Sequence, residues 1–263
     1  MTILPLTLSQ FSGKRFLRPS SYTFAAKDTI AALVAQEFPK AALSLPIGFV
    51  AAGEGFAPVA VLGLQPGQNL FVSLEGRWLG GYIPATYRGY PFLLADAEEG
   101  RQVLCINDAH GAISETEGEA FFGVDEQPTE AVKDILNFLN QVATNRLGTS
   151  KVMAVIQKHQ LISPWPIKLQ SATQQEQIVE GLYRIDEVAL NSLPATALEE
   201  VRQSGALPLI YCQLLSMQHL PMLGKLAQAL HEAERVASMP KSNESDLDMS
   251  FLADDMTISF NNL

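Results

Sequence analysis

Two apolar runs, "PIGFVAA" at 46–52 and "APVAVLGL" at 57–64, are separated by little more than a "GEG" turn, and this spacing constrains the fold more than any other feature. A parallel crossover needs a dozen residues or more, so the pair predicts an antiparallel hairpin. The same punctuation recurs: "NLFVSL" at 69–74, "PFLLA" at 91–95 and "QVLCIN" at 102–107 are set off by "QPGQ" and "DAEEG" turns. With "TILPLTL" at 2–8 and "SYTFAA" at 21–26, these runs predict a mainly antiparallel sheet in the first half of the chain. One helix is predicted to cover it, "KDTIAALVAQEFPKAA" from 27, where Ile30, Leu33, Val34 and Phe38 recur at helical spacing and Pro39 and Pro46 close the segment.

From about 115 the apolar period becomes helical. Val132, Ile135, Leu136, Leu139, Val142 and Ala143 form one stripe, Pro128 suits the start of that helix and Gly148 its C-terminal cap. "TSKVMAVIQKHQLI" then predicts a second helix capped by Thr149 or Ser150. "SPWPIKL" at 163–169 must be extended, because residues before prolines leave the helical region, which places Trp165 on a strap. Asp186, Pro194 and Pro208 open further helices, and the last runs from about 218 to 238. Its Leu220, Leu223, Ala227, Leu230 and Ala237 are spaced to pack on a neighbour, including a second copy of the chain. The expected class is therefore α+β: a sheet region at 1–112, a helical hairpin with an extended strap at 113–169, a C-terminal helical region at 170–239 and an acidic tail at 240–263. The polar stretch 170–179 is the natural linker. The tail is expected to be mobile, although Phe251, Leu252, Ile258 and Phe260 leave open a docking peptide.

A net charge of −10 with only 18 Lys and Arg argues against a nucleic-acid partner, which requires a concentrated basic surface. The most apolar runs, 41–53 and 205–217, are shorter than the roughly 20 residues a bilayer requires and each contains proline, so no membrane span is expected. The N-terminus carries its positive charges after the apolar stretch and reads as a strand rather than a secretory signal. Cys105 and Cys212 lie in apolar surroundings far apart in sequence, which suits buried thiols in a reducing cytoplasm and neither a disulfide nor a zinc site.

Motifs for known chemistries fail one by one. "GEGFAP" at 53–58 has Pro58 where a dinucleotide fingerprint needs its third glycine, no phosphate loop or nucleophile elbow is present, and "SMPK" at 238–241 borders the tail. No cofactor is therefore implied. Adjacent acids such as Glu199 and Glu200 point in different directions and do not form a facing carboxylate pair. Asp108 and His110 in "NDAHG" are the best metal-ligand pair, with His159 or His219 needed to complete it. The same residues also suit a plain turn shaped by Asp108 and Gly111 with His110 in solvent. His219 and His231 read as surface residues, and His159 as the C-terminal cap of its helix. The strongest candidate is "GRWLGGYIPATYRGYPF" at 76–92, where Arg77, Trp78, Tyr82, Tyr87 and Arg88 combine guanidinium groups with aromatic rings. Such a surface binds a carboxylate while its rings cover apolar ligand area. A buried aromatic knot bent by Gly80, Gly81, Pro84 and Gly89 has the same composition, so both readings stand.

Several stretches in order, "EFPKAALSLPIGF" at 37–49, "VAVLGLQPGQNLFV" at 59–72, "GRWLGGYIPATYRGYPFLL" at 76–94, "LISPWPI" at 161–167, "GLYRIDEVALNSLP" from 181 and "GALPLIYCQLLSMQHLPML" to 223, resemble the SapC family. The resemblance implies an accessory protein of a surface-array or secretion system, with relatives that also occur beside flavin-dependent halogenase-like and cupin-like proteins. Members often carry a histidine before the second strand and another near Gln213; "FSGKRFLRP" at 11–19 and the Gln213 region lack them, which lowers an enzymatic reading. The expectation is a cytoplasmic accessory protein that binds a peptide or protein partner in a surface-layer, secretion or peptide-modification system. The alternative is a metal-dependent, oxygenase-like tailoring enzyme acting on an amino acid or peptide through Asp108 and His110.

Overall fold

The computed structural model describes residues 3–97, 101–170 and 176–238; residues 171–175 of the expected 170–179 linker and the expected tail lie outside the described residues. In chain order the first part holds β1 (Ile3–Pro5), α1 (Leu8–Phe11), β2 (Arg15–Phe16), β3 (Ile30–Ala32), α2 (Phe38–Ala41), β4 (Ile47–Ala52), β5 (Gly55–Val61) and α3 (Ala85–Arg88). Then come β6 (Phe92–Asp96), β7 (Gln102–Asn107), β8 (Ile113–Ser114), β9 (Glu119–Ala120) and the long helix α4 (Glu130–Lys158). β10 (Ile162–Pro164), β11 (Ile167–Gln170), β12 (Glu176–Val179) and β13 (Tyr183–Ile185) precede α5 (Glu187–Asn191), α6 (Ala195–Gln203), α7 (Ala206–Ser216) and α8 (Leu220–Ser238). The class is α+β, with antiparallel sheets first and a helical C-terminal half.

The expected hairpin is β4–β5, paired from Ile47↔Ala60 to Ala52↔Gly55 at the centre of a five-stranded sheet ordered β10-β13-β4-β5-β3. A second sheet, β1-β7-β6, and a small one, β8-β2-β9, are also antiparallel. Two apolar cores result. The larger joins Phe49, Val59 and Leu62 of the sheet side to Ile156, Val201, Ile210 and Leu223 of the helices, so the sheet and the C-terminal helices bury one another. The smaller is built on Phe11, Phe16, Phe92 and Phe121, with ring centroids 4.9–6.2 Å apart, and includes Val132. Helix α4 reaches from Val132 in one core to Ile156 in the other, about 36 Å along its axis at 1.5 Å per residue.

Three local expectations are corrected. The helix expected from 27 is β3, a 3₁₀ turn at Ala35–Glu37 and the single turn α2. Ile30 and Ala32 are exposed while Ala31 and Leu33 are buried, a strand alternation realised by pairing with β5, and it overrides the coincident helical spacing. Residues 21–26 and 69–74 contain a 3₁₀ turn at Thr23–Ala25 and an isolated bridge, Val72↔Trp78, instead of strands. The two helices expected to meet at Gly148 are the one helix α4. Thr149 Oγ1 and Ser150 Oγ do not cap a new helix; they donate to the carbonyls of Asn145 (2.7 Å) and Arg146 (3.0 Å) one turn back. Packing of Thr149 and Met153 offsets the roughly 1 kcal/mol that an interior glycine costs.

Where β13 meets β4 the register pairs only Tyr183 with Phe49, and α7 bridges the gap. Fully buried Gln213 donates to Ile47 O (3.1 Å) and accepts from Ile185 N–H (3.0 Å), while Ser216 Oγ accepts from Ile47 N–H (2.9 Å). Asp186 caps α5 by accepting from Ala189 N–H, and His159 stands at the C-cap of α4, 3.0 Å from Glu200. His219 is not a free surface residue: its Nε2 lies 3.0 Å from Ala42 O. In α8, Leu223 is buried and Leu220, Ala227 and Leu230 pack on the larger core, so this part of the apolar stripe serves the chain itself. No helix among the described residues is long and apolar enough to cross a membrane.

Candidate functional site

Glu37 ends the 3₁₀ turn before α2 and is 5% exposed, so its carboxylate needs partners. One oxygen reaches back to accept from Val34 N–H at 2.9 Å. The other accepts from Ala85 N–H at 2.6 Å and from the Tyr82 hydroxyl at 2.9 Å. A single buried carboxylate therefore fastens the 34–37 turn to the 82–88 segment.

Arg88, at the end of α3, extends this network towards solvent. Its Nη2 donates to Tyr82 Oη at 3.1 Å and its Nε to Ile83 O at 3.2 Å, with Nη2 3.9 Å from Glu37. The guanidinium lies 5.1 Å from the Phe138 ring centroid and 5.7 Å from that of Tyr82. Burial, then the Glu37 carboxylate, push the Tyr82 phenol up to about 12, so it remains a donor to Glu37 across ordinary pH. Arg88, Tyr82, Lys40, Phe138 and Val142 line a cleft of about 240 Å³ between the turn at 34–40 and one face of α4.

The other residues of the 76–92 stretch have different places. Trp78 is half-buried; its indole N–H donates to Tyr82 O at 2.9 Å and its ring lies 5.7 Å from those of Tyr22, Phe71 and Tyr87. A Cβ on Gly80 would meet Trp78 Nε1 at 2.9 Å and Phe71 at 3.1 Å, so glycine is what lets this ring pack. Tyr87 is buried and donates to Asp28 at 3.0 Å; burial, then Asp28, push its phenol well up. Arg77 is exposed and does not line the cleft. The stretch is thus both a knot, at Trp78 and Tyr87, and a cleft wall, at Tyr82 and Arg88.

Asp108 accepts from Ile113 N–H at 3.1 Å and Gly111 takes a positive φ of 67°, which makes the "NDAHG" segment a hydrogen-bonded turn. His110 is exposed beside Tyr90, ring centroids 6.3 Å apart, and among the described residues no group of three His, Cys, Asp or Glu side chains is arranged to hold a metal ion.

Sequence reasoning missed Glu37, Lys40 and the α4 wall. A signal was present: the segment "ILNFLNQVATN" at 135–145 carries no charge, and Asn137, Asn140, Gln141, Thr144 and Asn145 fall at i, i+3, i+4, i+7 and i+8 on one helix face.

No curated protein and no solved structure matches the chain. The SapC family model matches residues 6–223, which takes in both cores, the Glu37–Tyr82–Arg88 network and the α4 wall, and the chain belongs to the SapC family.

Proposed function

We propose that this protein is a cytoplasmic accessory protein that binds a peptide or protein partner through the Tyr82–Arg88 cleft, in a surface-layer, secretion or peptide-modification system. The observation that carries this reading is Arg88 itself. Its side chain is held in place by two intramolecular hydrogen bonds and two aromatic rings, yet it is 44% exposed at the mouth of the cleft. Fixing a cation before the partner arrives lowers the ordering cost of binding. Among the described residues the cleft walls include no histidine, cysteine or serine, and both Glu37 oxygens are already hydrogen-bonded, which supports recognition rather than chemistry. Self-association would fall to the exposed end of α8, residues 231–238.

The test is capture of partners from native lysate by the immobilised full chain, compared with Arg88→Ala. Arg88 is partly exposed, so the substitution should leave the melting temperature within a few degrees of the wild type, while the captured partner is lost. Equal capture by a folded Arg88→Ala protein overturns the reading.

A further inference from the structure

The cleft does not stop at Tyr82 and Arg88. Gln36, Gln141 and Asn145 line it and also line a polar trough of about 500 Å³, whose other walls are Asn137, Asn140 and Thr144. A side-chain amide carries both donors and an acceptor, the same pair of groups that an extended main chain offers. From Asn137 to Asn145 the stripe covers about 12 Å at 1.5 Å per helical residue. That is the length of roughly four extended residues at 3.3 Å each.

The trough has a charged end. A separate cavity of about 220 Å³, walled by Tyr22, Tyr90 and Pro91, shares with the cleft, among the described residues, only Arg88, so this side chain is the partition between them. Its Nε and Nη2 are engaged, but its Nη1 hydrogen-bonds no described residue, and the Lys40 ammonium has no partner among the described residues. In a chain of net charge −10, the Lys40 ammonium and the Arg88 guanidinium over Phe138 stand at this end of the cleft against one carboxylate, Glu37, 3.9 Å from Arg88 and already engaged by three other donors, which leaves a local positive excess. We propose that the trough takes the C-terminal end of an extended peptide, with its terminal carboxylate on Arg88 and Lys40 and its main chain against the amide face of α4. This rests on the binding reading above and gives it a ligand class.

The experiment passes an N-terminally tethered random tetrapeptide library over the full chain, once as free acids and once as C-terminal amides. Hydrogen bonds to a charged group predict that acids are retained about tenfold to a hundredfold over amides. Arg88→Gln removes that preference with little change in melting temperature, and Lys40→Gln, an exposed substitution, reduces it independently should the first variant fold poorly. Asn140→Ala combined with Asn145→Ala lowers retention of both libraries alike. Equal, Arg88-dependent retention of acids and amides overturns the carboxylate assignment and leaves the binding reading standing. Preferential retention of amides rich in Asp and Glu moves the carboxylate to a side chain and overturns the terminal assignment. Retention of neither library overturns the peptide assignment, while partner capture still decides the broader reading.

Discussion

Replacing Glu37 by glutamine keeps the side chain's shape and removes its charge, which isolates the carboxylate's role in joining the 34–37 turn to the 82–88 segment. In the wild type its two oxygens take the N–H groups of Val34 and Ala85 and the Tyr82 hydroxyl at 2.6–2.9 Å. An amide cannot satisfy all three. With its oxygen towards Ala85 and Tyr82, its NH₂ faces the Val34 N–H; flipped, it faces the Ala85 N–H. One charge-assisted bond is lost, a buried donor is left unpaired, and the remaining bonds weaken to neutral ones, which together cost about 3 kcal/mol. For a chain of this size that lowers the melting temperature by about 6–12 °C. Urea denaturation should show a lower midpoint with an unchanged slope, since the native surface is preserved. Tyr82→Phe removes one of the three donors and should cost about 1 kcal/mol, with non-additive coupling to Glu37→Gln. A loss under about 1 kcal/mol for Glu37→Gln would show that the two segments are held by packing alone and that the cleft does not depend on the carboxylate.

The Tyr82 phenol is pushed up to about 12 and that of Tyr87 is also raised, from an ordinary value of 10. The unfolded chain releases these protons near pH 10 while the folded chain keeps them, so stability should hold below that pH and fall between pH 10 and 12. Comparing urea midpoints of the wild type, Tyr82→Phe and Tyr87→Phe across this range checks it; identical pH dependence in all three would defeat the assignment. Gln213→Leu leaves the carbonyl of Ile47 and the N–H of Ile185 without their partner and should cost about 3 kcal/mol. A near-neutral result in denaturant titration would mean that β13 and β4 close the gap without α7.

Much of the architecture was legible because short connections leave few options. The "GEG" turn permits only a hairpin, and β4–β5 lies at the centre of the larger sheet. The stripe from Val132 to Ala143 identified α4, but not its length, since Gly148, Thr149 and Ser150 have the chemistry of a helix boundary. Whether such residues end a helix depends on what packs on them; here Thr149 accepts from Ala35 N–H at 2.8 Å as well as bonding its own helix. The segment at 27–41 failed for a related reason. Apolar residues at 30, 33, 34 and 38 fit a helix, yet the backbone of β3 gains a partner in β5 that a helix would forgo.

The site shows the same division. By itself the sequence determined that aromatic and guanidinium groups would crowd into residues 76–92, because composition and turn chemistry are local properties of the chain. It could not say which of them face a cleft. Trp78 and Tyr87 turn inwards, and Tyr82 and Arg88 line an opening, because Glu37, 45 residues from Tyr82 in the chain, supplies the buried acceptor that holds Tyr82. The second wall comes from Phe138 and the amide face of α4, placed there because that helix must reach both cores. Pairings over such separations follow from how the whole chain buries its apolar surface, and only the tertiary structure decides them.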